Sequence, residues 1–277
     1  GSGLSQLTAV GNLLYFWGYD PTNGHELWKS DGTEAGTSLV KDIQPGSESS
    51  FPSSLTAVGS NLFFTAYDPV HSVELWKSDG TAAGTVLVKD IYPGSAFSDP
   101  TLLTATGSTL YFVANDGSNG SELWKSDGTE AGTVLVKDIN PGSGGSIPTN
   151  LTAVGNTLYF QANDGANGSE LWKSDGTEQG TTMVKDINTG SAPSSPVNLT
   201  KVGGSLYFVA TDATNGNELW KSDGRTAGTV LVKDLVAGSG GSAPELLTTV
   251  SGSLFFSAVT EASGRELWML PPTPEMS

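Results

Sequence analysis

The segment Glu122-Leu-Trp-Lys-Ser-Asp-Gly-Thr129 decides how this chain folds, because near-copies of it recur at a fixed interval of 48 residues. A second marker, the dipeptide Leu-Thr, recurs with the same step, so no insertion or deletion separates the units. The Glu of the Glu-Leu-Trp tripeptide is at Glu26, Glu74, Glu122, Glu170, Glu218 and Glu266, and the Leu-Thr dipeptides begin at Leu7, Leu55, Leu103, Leu151, Leu199 and Leu247. A period of this length is typical of propellers and repeat arrays.

Each unit contains four short runs that are typical of strands, which we call A to D. In the third unit they are residues 103–107, 110–116, 122–127 and 134–139. Run B is rich in aromatic and β-branched residues, and the connection from C to D opens with Asp-Gly, which tolerates the positive φ of a turn. A loop rich in Pro, Gly and Ser, residues 140–150, leads to the next run A. Four strands per unit predict an all-β chain folded as a β-propeller.

The number of blades follows from the number of units. Five units are complete, whereas the sixth reads Glu266-Leu-Trp-Met-Leu-Pro-Pro272 and lacks run D. We predict one propeller domain over residues 1–270, six-bladed with an incomplete last blade, and a C-terminal linker over 271–277. A five-bladed ring is the alternative, and the open blade is expected to stay three-stranded or to be completed by residues outside this sequence.

Two positions in every unit carry a large aromatic side chain, one on run B and one on run C. Buried aromatics dominate core energetics, so we expect both sets to fill the space between blades. The sets are Phe16, Phe64, Phe112, Phe160, Phe208 and Phe256, and Trp28, Trp76, Trp124, Trp172, Trp220 and Trp268.

The motif Glu-Leu-Trp-Lys-Ser-Asp-Gly-Thr, nearly unchanged in five units, resembles the repeat of the bacterial ELWxxDGT-repeat proteins. The resemblance spans nearly the whole chain. It implies a bacterial protein that is secreted or lies on the cell surface, and it fits the propeller interpretation. We expect the domain to be part of a larger multidomain protein. The family has no agreed activity or catalytic residues that could be carried over.

The composition excludes several classes of function. The 277 residues include no cysteine and two histidines, which removes thiol chemistry and zinc sites built on sulfur. A formal charge of −16 disfavours nucleic acid and anionic membrane surfaces as partners. No apolar run is long enough to predict a spanning helix, so membrane insertion is not expected.

The carboxylates that recur in the loops have two interpretations. The aspartates of the Asp-Gly pairs are expected to accept hydrogen bonds within turns. The loop between B and C offers several oxygens and could hold calcium, although its spacing does not match an EF-hand. Turn formation by the Asp and capping of backbone donors by the Glu is the competing interpretation, and no other cofactor is expected. The calcium candidates are Asp116, Asn119, Glu122, Asp164, Asn167 and Glu170.

The two ends of the blades differ in variability. The B to C loops differ from unit to unit, whereas the C to D loops stay close to Asp-Gly-Thr-Glu-Ala-Gly-Thr. Since binding residues tend to lie on loops held by a rigid scaffold, the variable face formed by the B to C and D to A loops is the predicted ligand face. The candidate contacts are Trp17, Tyr19, His25, Tyr67, His71, Asn115, Gln161 and Asn163.

These observations favour a non-catalytic recognition module that binds a glycan or a protein surface. One alternative is an enzyme acting on polysaccharides, a lyase or glycosidase, that would use Asp20 and Glu26 as paired carboxylates. Another is a purely structural repeat scaffold.

Overall fold

The computed structural model describes residues 5–272, and every regular element in that range is a β-strand. The strands form six antiparallel sheets, each joining consecutive strands in order. Five sheets have four strands and the last has three. These sheets are the blades of a β-propeller, so the predicted fold class and the incomplete sixth blade are confirmed. The predicted linker falls mostly outside the described residues.

The strand bounds repeat from blade to blade. Blade 1 contains β1 (Ser5–Val10), β2 (Leu13–Asp20), β3 (Gly24–Ser30) and β4 (Ser38–Lys41). Blade 2 contains β5 (Ser53–Val58), β6 (Asn61–Asp68), β7 (Ser72–Ser78) and β8 (Val86–Lys89). Blade 3 contains β9 (Thr101–Thr106), β10 (Thr109–Asn115), β11 (Ser121–Ser126) and β12 (Val134–Lys137). Blade 4 contains β13 (Thr149–Val154), β14 (Thr157–Asn163), β15 (Ser169–Ser174) and β16 (Thr182–Lys185). Blade 5 contains β17 (Val197–Val202), β18 (Ser205–Asp212), β19 (Gly216–Ser222) and β20 (Val230–Lys233). Blade 6 contains β21 (Glu245–Val250), β22 (Ser253–Thr260) and β23 (Gly264–Leu270).

The blades belong to two compact units, Gly1–Gly145 with blades 1 to 3 and Ser146–Ser277 with blades 4 to 6. Within each unit the first strands of neighbouring blades contact each other, β1 with β5 and β5 with β9 in one unit, and β13 with β17 and β17 with β21 in the other. The first strands of neighbouring blades therefore lie side by side within each unit.

The first strand of each blade starts two residues before the Leu-Thr marker, earlier than the sequence indicated. In blade 3, for example, β9 begins at Thr101, and its register with β10 shifts between Tyr111 and Val113. Leu102 has a φ of +55° at this irregularity. A β-bulge of this kind is not readable from alternation of polar and apolar residues, because the bulged residue breaks the period.

Hydrophobic clusters join neighbouring blades within each unit. In the first unit, Phe64 and Trp76 of blade 2 pack with Tyr15 and Leu27 of blade 1. In the second unit, Trp220 of blade 5 packs against blade 4 in the same way. Complete burial of a side chain of this size contributes about 1.5–3 kcal/mol. The expectation that the run B and run C aromatics lie between blades is confirmed for these positions.

The constant Ser-Asp-Gly-Thr sequence is explained by the loop from the third to the fourth strand. In blade 2 the Asp79 carboxylate accepts hydrogen bonds from the Thr81 N–H (2.8 Å) and hydroxyl (2.7 Å). The Ser78 and Thr85 hydroxyls pair at 2.8 Å across the base of the loop. The Asp79 pKa is lowered, chiefly by the Thr81 hydroxyl. The predicted turn role of these aspartates is confirmed, and this constant end of the blades has a structural explanation.

The lysines of the repeat also connect blades. Lys29 Nζ donates to the Gly80 carbonyl at 2.7 Å, and Lys41 Nζ donates to the Thr85 carbonyl at 2.8 Å. Blade 6 has Met269 at the position of Lys29.

Candidate binding site

An aromatic cluster lies between blades 1 and 2 on the variable face. The His25 ring lies 4.6 Å from Trp17 and 4.8 Å from Tyr19, measured between ring centroids. The Phe51 ring also stacks on His25, with 5.5 Å between ring centroids and 23° between the ring planes. Trp17 and Tyr19 alternate on β2 with the buried Phe16, so both project from the same face of the strand.

Two hydrogen bonds, one of them between backbone groups, hold Phe51 against His25. The His25 N–H donates to Ser49 Oγ at 2.9 Å, and the Phe51 N–H donates to the His25 carbonyl at 3.3 Å. These bonds tie the loop after β4 to the start of β3. Gly24 makes this approach possible, since a Cβ at that position would lie 2.7 Å from the Glu48 carbonyl carbon.

Two clefts share Phe51 and Ser53 in their linings. The larger one, of about 590 Å³, extends from the loop after β4 to Tyr67 of blade 2. The smaller one, of about 250 Å³, extends from Phe51 to Trp17. The larger cleft is lined by Gln44, Glu48, Ser49, Ser50, Phe51, Ser53, Thr65, Tyr67 and Val73, and the smaller by Gln6, Trp17, Phe51, Pro52 and Ser53. We call the two clefts together the aromatic cleft.

The lining of the aromatic cleft combines exposed aromatic faces with uncharged polar groups. Phe51 is 59% exposed within it, and Tyr19, which contacts His25 in the aromatic cluster, is 47% exposed. Glu48 is its one ionisable carboxylate, and the remaining polar side chains are amides and hydroxyls. Such a surface suits a ligand that presents hydroxyl groups and apolar C–H faces.

The structure brings together only some of the predicted ligand contacts. Trp17, Tyr19 and His25 form the cluster, and Tyr67 lines the adjoining cleft. His71 instead lies in its own loop, with Nδ1 at 2.9 Å from Asp68 Oδ2.

The three amide candidates of blades 3 and 4 serve local structure. The side-chain oxygens of Asn115 and Asn163 accept the N–H groups of Gly117 and Gly165, each at 2.7 Å. Gln161 Oε1 lies 3.4 Å from the amide nitrogen of Asn150.

The loop considered for calcium uses its oxygens within the protein. Asp116 Oδ1 accepts the N–H groups of Ser118 (2.9 Å) and Asn119 (2.8 Å), and its Oδ2 accepts the Asn119 amide at 2.7 Å. Partial burial acts to raise the Asp116 pKa, but these hydrogen bonds outweigh it and the net pKa is lowered. Glu122 is directed elsewhere, since it accepts from the Ile139 N–H at 3.3 Å.

The equivalent loop of blade 4 repeats the arrangement. Asp164 accepts from Asn167 at 2.8 Å, and Glu170 accepts the Ile187 N–H at 3.0 Å and the Ser194 hydroxyl at 2.6 Å. Across the residues that the structure describes, no three His, Asp or Glu side chains converge as they would in a metal site.

The glutamate of the Glu-Leu-Trp motif is a fully buried acceptor for the loop after the fourth strand. In blade 1, Glu26 Oε2 accepts from the Ile43 N–H at 3.2 Å and from the Ser50 hydroxyl. Its Oε1 accepts the N–H groups of Gln44 (3.2 Å) and Ser50 (3.0 Å). With no exposed surface and four hydrogen bonds, this carboxylate is closed to a substrate.

The buried glutamates make stability depend on pH. Burial raises the pKa of these glutamates above the ordinary value of 4.5, although the hydrogen bonds from the loop act in the opposite direction. The glutamates with a raised pKa are Glu26, Glu74, Glu170 and Glu218. Between pH 4.5 and the raised pKa, the folded state binds more protons than the unfolded chain. The free energy of unfolding therefore falls as the pH rises through this range. The turn aspartates affect stability in the opposite direction, because their pKa values are lowered in the folded state. They stabilise the fold above pH 3.8, and this contribution is lost as the pH falls below 3.8.

We therefore expect the free energy of unfolding to increase as the pH falls from neutral toward 4.5 and to decrease below 3.8. Urea denaturation followed by tryptophan fluorescence across this range measures it. Glu74→Gln mimics the protonated acid and should flatten part of the dependence. Glu261→Gln, an exposed loop position, controls for the change in net charge. An equal pH dependence in both variants would contradict the assignment.

The sequence interpretation missed Phe51. The residue lies in the loop between D and A, and the equivalent positions in the following units are Asp99, Ile147, Ser195 and Ala243. The signal was the same variability that singled out Trp17. The stacking on His25 depends on a left-handed residue, with φ +48° at Phe51, that places the ring over the neighbouring strand.

No protein-family model matches the sequence, and no curated protein is significantly similar to it. Similar solved structures include the β-propeller domain of the Trilobed protease from Pyrococcus furiosus, which has an open velcro topology. The TM-score is 0.52 at 10% identity, and the match covers 98% of this chain and 82% of that one.

Other similar structures are larger peptidases. Prolyl oligopeptidase B from Galerina marginata matches with a TM-score of 0.55 at 9% identity over 97% of this chain and 42% of that one. A prolyl endopeptidase matches with a TM-score of 0.52 at 15% identity over 98% of this chain and 40% of that one. The chain thus spans less than half the length of these peptidases. At such identities the likeness shows the fold alone, which is that of the β-propeller.

Proposed function

We propose that this domain is a non-catalytic recognition module that binds an uncharged glycan in the aromatic cleft. The observation that carries the proposal is the cluster of Trp17, Tyr19, His25 and Phe51 beside two open clefts. Aromatic rings offer flat faces to the C–H groups of a sugar, and the adjacent amides and hydroxyls can bond its hydroxyl groups. The resemblance to ELWxxDGT-repeat proteins supports a setting on or outside a bacterial cell.

The charge of the domain supports an uncharged ligand. The formal net charge of −16 repels acidic polysaccharides, and Glu48 adds a negative charge in the lining itself. The amide and hydroxyl groups of Gln6, Ser53 and Thr65 carry no charge at neutral pH.

The rival enzyme hypothesis depends on two carboxylates that are already engaged. Glu26 is buried with four hydrogen bonds, and Asp20 accepts the N–H groups of Thr22 (2.8 Å) and Asn23 (3.0 Å). Asp20 Oδ2 also accepts the Asn23 amide at 2.9 Å. A general acid or nucleophile needs a free oxygen within reach of the substrate, which favours binding over hydrolysis at this place.

A glycan array with neutral and acidic oligosaccharides, probed in calcium and again in EDTA, tests the proposal. We expect a neutral hit, and we expect Trp17→Ala and Phe51→Ala each to weaken it by at least about tenfold, because central aromatic anchors dominate binding energy. Titration calorimetry with the hit measures the affinity.

Phe97→Ala is the matched control. Phe97 is an equally exposed phenylalanine (61%) in the corresponding loop of blade 2, and it lines neither cleft. Equal losses for Phe97→Ala and Phe51→Ala would contradict the assignment to the aromatic cleft. A blank array in both buffers would reject the glycan and direct the search to protein partners.

A further inference from the structure

One buried polar atom in the lining of the aromatic cleft lacks a hydrogen-bond partner. Gln44 follows β4 and lines the larger cleft. Its backbone N–H donates to Glu26 Oε1 at 3.2 Å, which fixes the main chain at this position. Its side-chain Oε1 is buried, and no donor within residues 5–272 reaches it. A buried acceptor without a partner is unfavourable, so a ligand that brings a donor to this oxygen gains affinity.

The same position in other blades shows that the loop does not depend on the side chain of Gln44. In blade 3, Asn140 Nδ2 donates to the Gly145 carbonyl at 3.0 Å, within its own loop. In blade 4, Asn188 Nδ2 donates to the Pro193 carbonyl at 3.1 Å in the same way. The corresponding residue of blade 2 is Tyr92, which has no amide at all. The side-chain amide of Gln44 is therefore available to a ligand.

The neighbouring hydroxyl groups of the larger cleft already have partners. The Ser50 hydroxyl donates to the buried Glu26 carboxylate. The hydroxyls of Ser53 and Thr65 pair with each other at 2.7 Å. Gln44 Oε1 is thus the acceptor in this lining whose hydrogen bond has to come from the ligand.

The remaining lining of the larger cleft includes apolar surface. Phe51, Tyr67 and Val73 line the same cleft as Gln44. A group that fits here combines a hydrogen-bond donor with an apolar end. A sugar hydroxyl is a donor without an apolar end, whereas an acetamido group carries an N–H and a methyl group and has no charge.

We propose that the glycan bound in the aromatic cleft carries N-acetylated amino sugars, and that Gln44 Oε1 accepts the acetamido N–H. The methyl group would then lie against Val73 and Tyr67. This inference rests on the proposed glycan function and adds the substituent that the larger cleft selects. An acetamido group is neutral, in agreement with the net charge of −16, which disfavours acidic sugars.

Two trisaccharides that share a β-1,4-linked backbone test the inference on the intact domain by titration calorimetry. Triacetylchitotriose and cellotriose differ only at C2 of each ring, which carries an acetamido group in the first and a hydroxyl in the second. We expect triacetylchitotriose to bind at least about tenfold more tightly, because only the acetamido group supplies both the donor and the methyl contact.

The outcomes separate this inference from the proposed function. Equal affinities for the two trisaccharides, or no binding of triacetylchitotriose, would overturn the acetamido assignment. A hit on the glycan array with another neutral sugar would in that case leave glycan recognition in place. A blank array would reject both.

Gln44→Met tests the role of the oxygen, because it removes the acceptor and keeps the length of the side chain. We expect it to weaken triacetylchitotriose by at least about tenfold and cellotriose by less than about threefold, since a hydroxyl can rotate toward water whereas the N–H is held in place beside its methyl group. Equal losses for both sugars would overturn the assignment to the acetamido group.

Asn140→Met is the matched control. Asn140 occupies the same position of the repeat in blade 3 and lines neither cleft. Its side chain bonds only its own loop, to the Gly145 carbonyl, so the variant should leave the affinity for both trisaccharides unchanged. A loss of triacetylchitotriose binding as large as that of Gln44→Met would contradict the proposed contact.

Discussion

Replacing Glu74 with alanine is expected to lower the free energy of unfolding by about 3–5 kcal/mol. The carboxylate is fully buried and accepts the N–H groups of Ile91, Tyr92 and Ser98 together with the Ser98 hydroxyl. Its removal leaves these buried donors without a partner, and each such donor costs about 1–3 kcal/mol unless water enters to replace the acceptor. The measurement is urea denaturation of the purified variant, monitored by tryptophan fluorescence.

The chain supplies its own control for this experiment. Glu266 occupies the same position of the repeat but is exposed, so Glu266→Ala should change the stability by no more than about 0.5 kcal/mol. Similar effects of the two substitutions would show that the glutamate acts through β-strand propensity or net charge, which both sites share, and would reject the capping role.

The sequence predicted the architecture because the repeat imposes the same physical demand in every unit. Phe64 and Trp76 had to be buried somewhere, and only a neighbouring blade offers an apolar face of matching size. The turn role of Asp79 was also predictable, since Asp before Gly accepts local N–H groups in most contexts.

The role of the buried glutamate was harder to predict. Glu74 and Ser98 are 24 residues apart, and they meet only because the loop after β8 folds back over the start of β7. The sequence left two roles open for the glutamates of this motif, a calcium ligand and a cap of backbone donors, and for Glu26 also a catalytic role beside Asp20. The choice depends on which donors the fold places against it, and spacing along the chain does not carry that information.

The candidate site likewise combines residues that the sequence could group with one that it could not. Trp17, Tyr19 and His25 were predictable as a group, because they are close in sequence and lie on β2 and at the start of β3, two strands joined by a short turn. Phe51 belongs to a different loop, and its stacking on His25 results from the backbone bond between the two residues. The clefts themselves exist only because blades 1 and 2 are packed side by side.

Gly24 allows the loop that carries Phe51 to lie close to the start of β3. Gly24→Ala is therefore expected to destabilise the domain by about 3 kcal/mol. Gly24 has a φ of +69°, which costs an L-residue about 1–2 kcal/mol, and its new Cβ would overlap the Glu48 carbonyl and lie 2.7 Å from Ser49 Oγ. The overlap can be relieved only by moving residues 48–51. Phe51 should then leave His25, so ligand binding in the aromatic cleft should weaken together with stability.

Gly264→Ala isolates the steric part of the effect. Gly264 has a similar φ of +73° with nothing within 4 Å of an added Cβ, so this variant should show only the backbone cost of about 1–2 kcal/mol. Ser72 adopts a φ of +61° at the same position of blade 2, which shows that the conformation itself is open to residues other than glycine. Equal losses of stability for the two alanine variants would therefore mean that the loop carrying Phe51 can move away from the added methyl group at little cost in free energy. The aromatic cleft would then be shaped by its ligand, whereas a larger loss at Gly24 means that the packing of the loop on β3 shapes the cleft in advance.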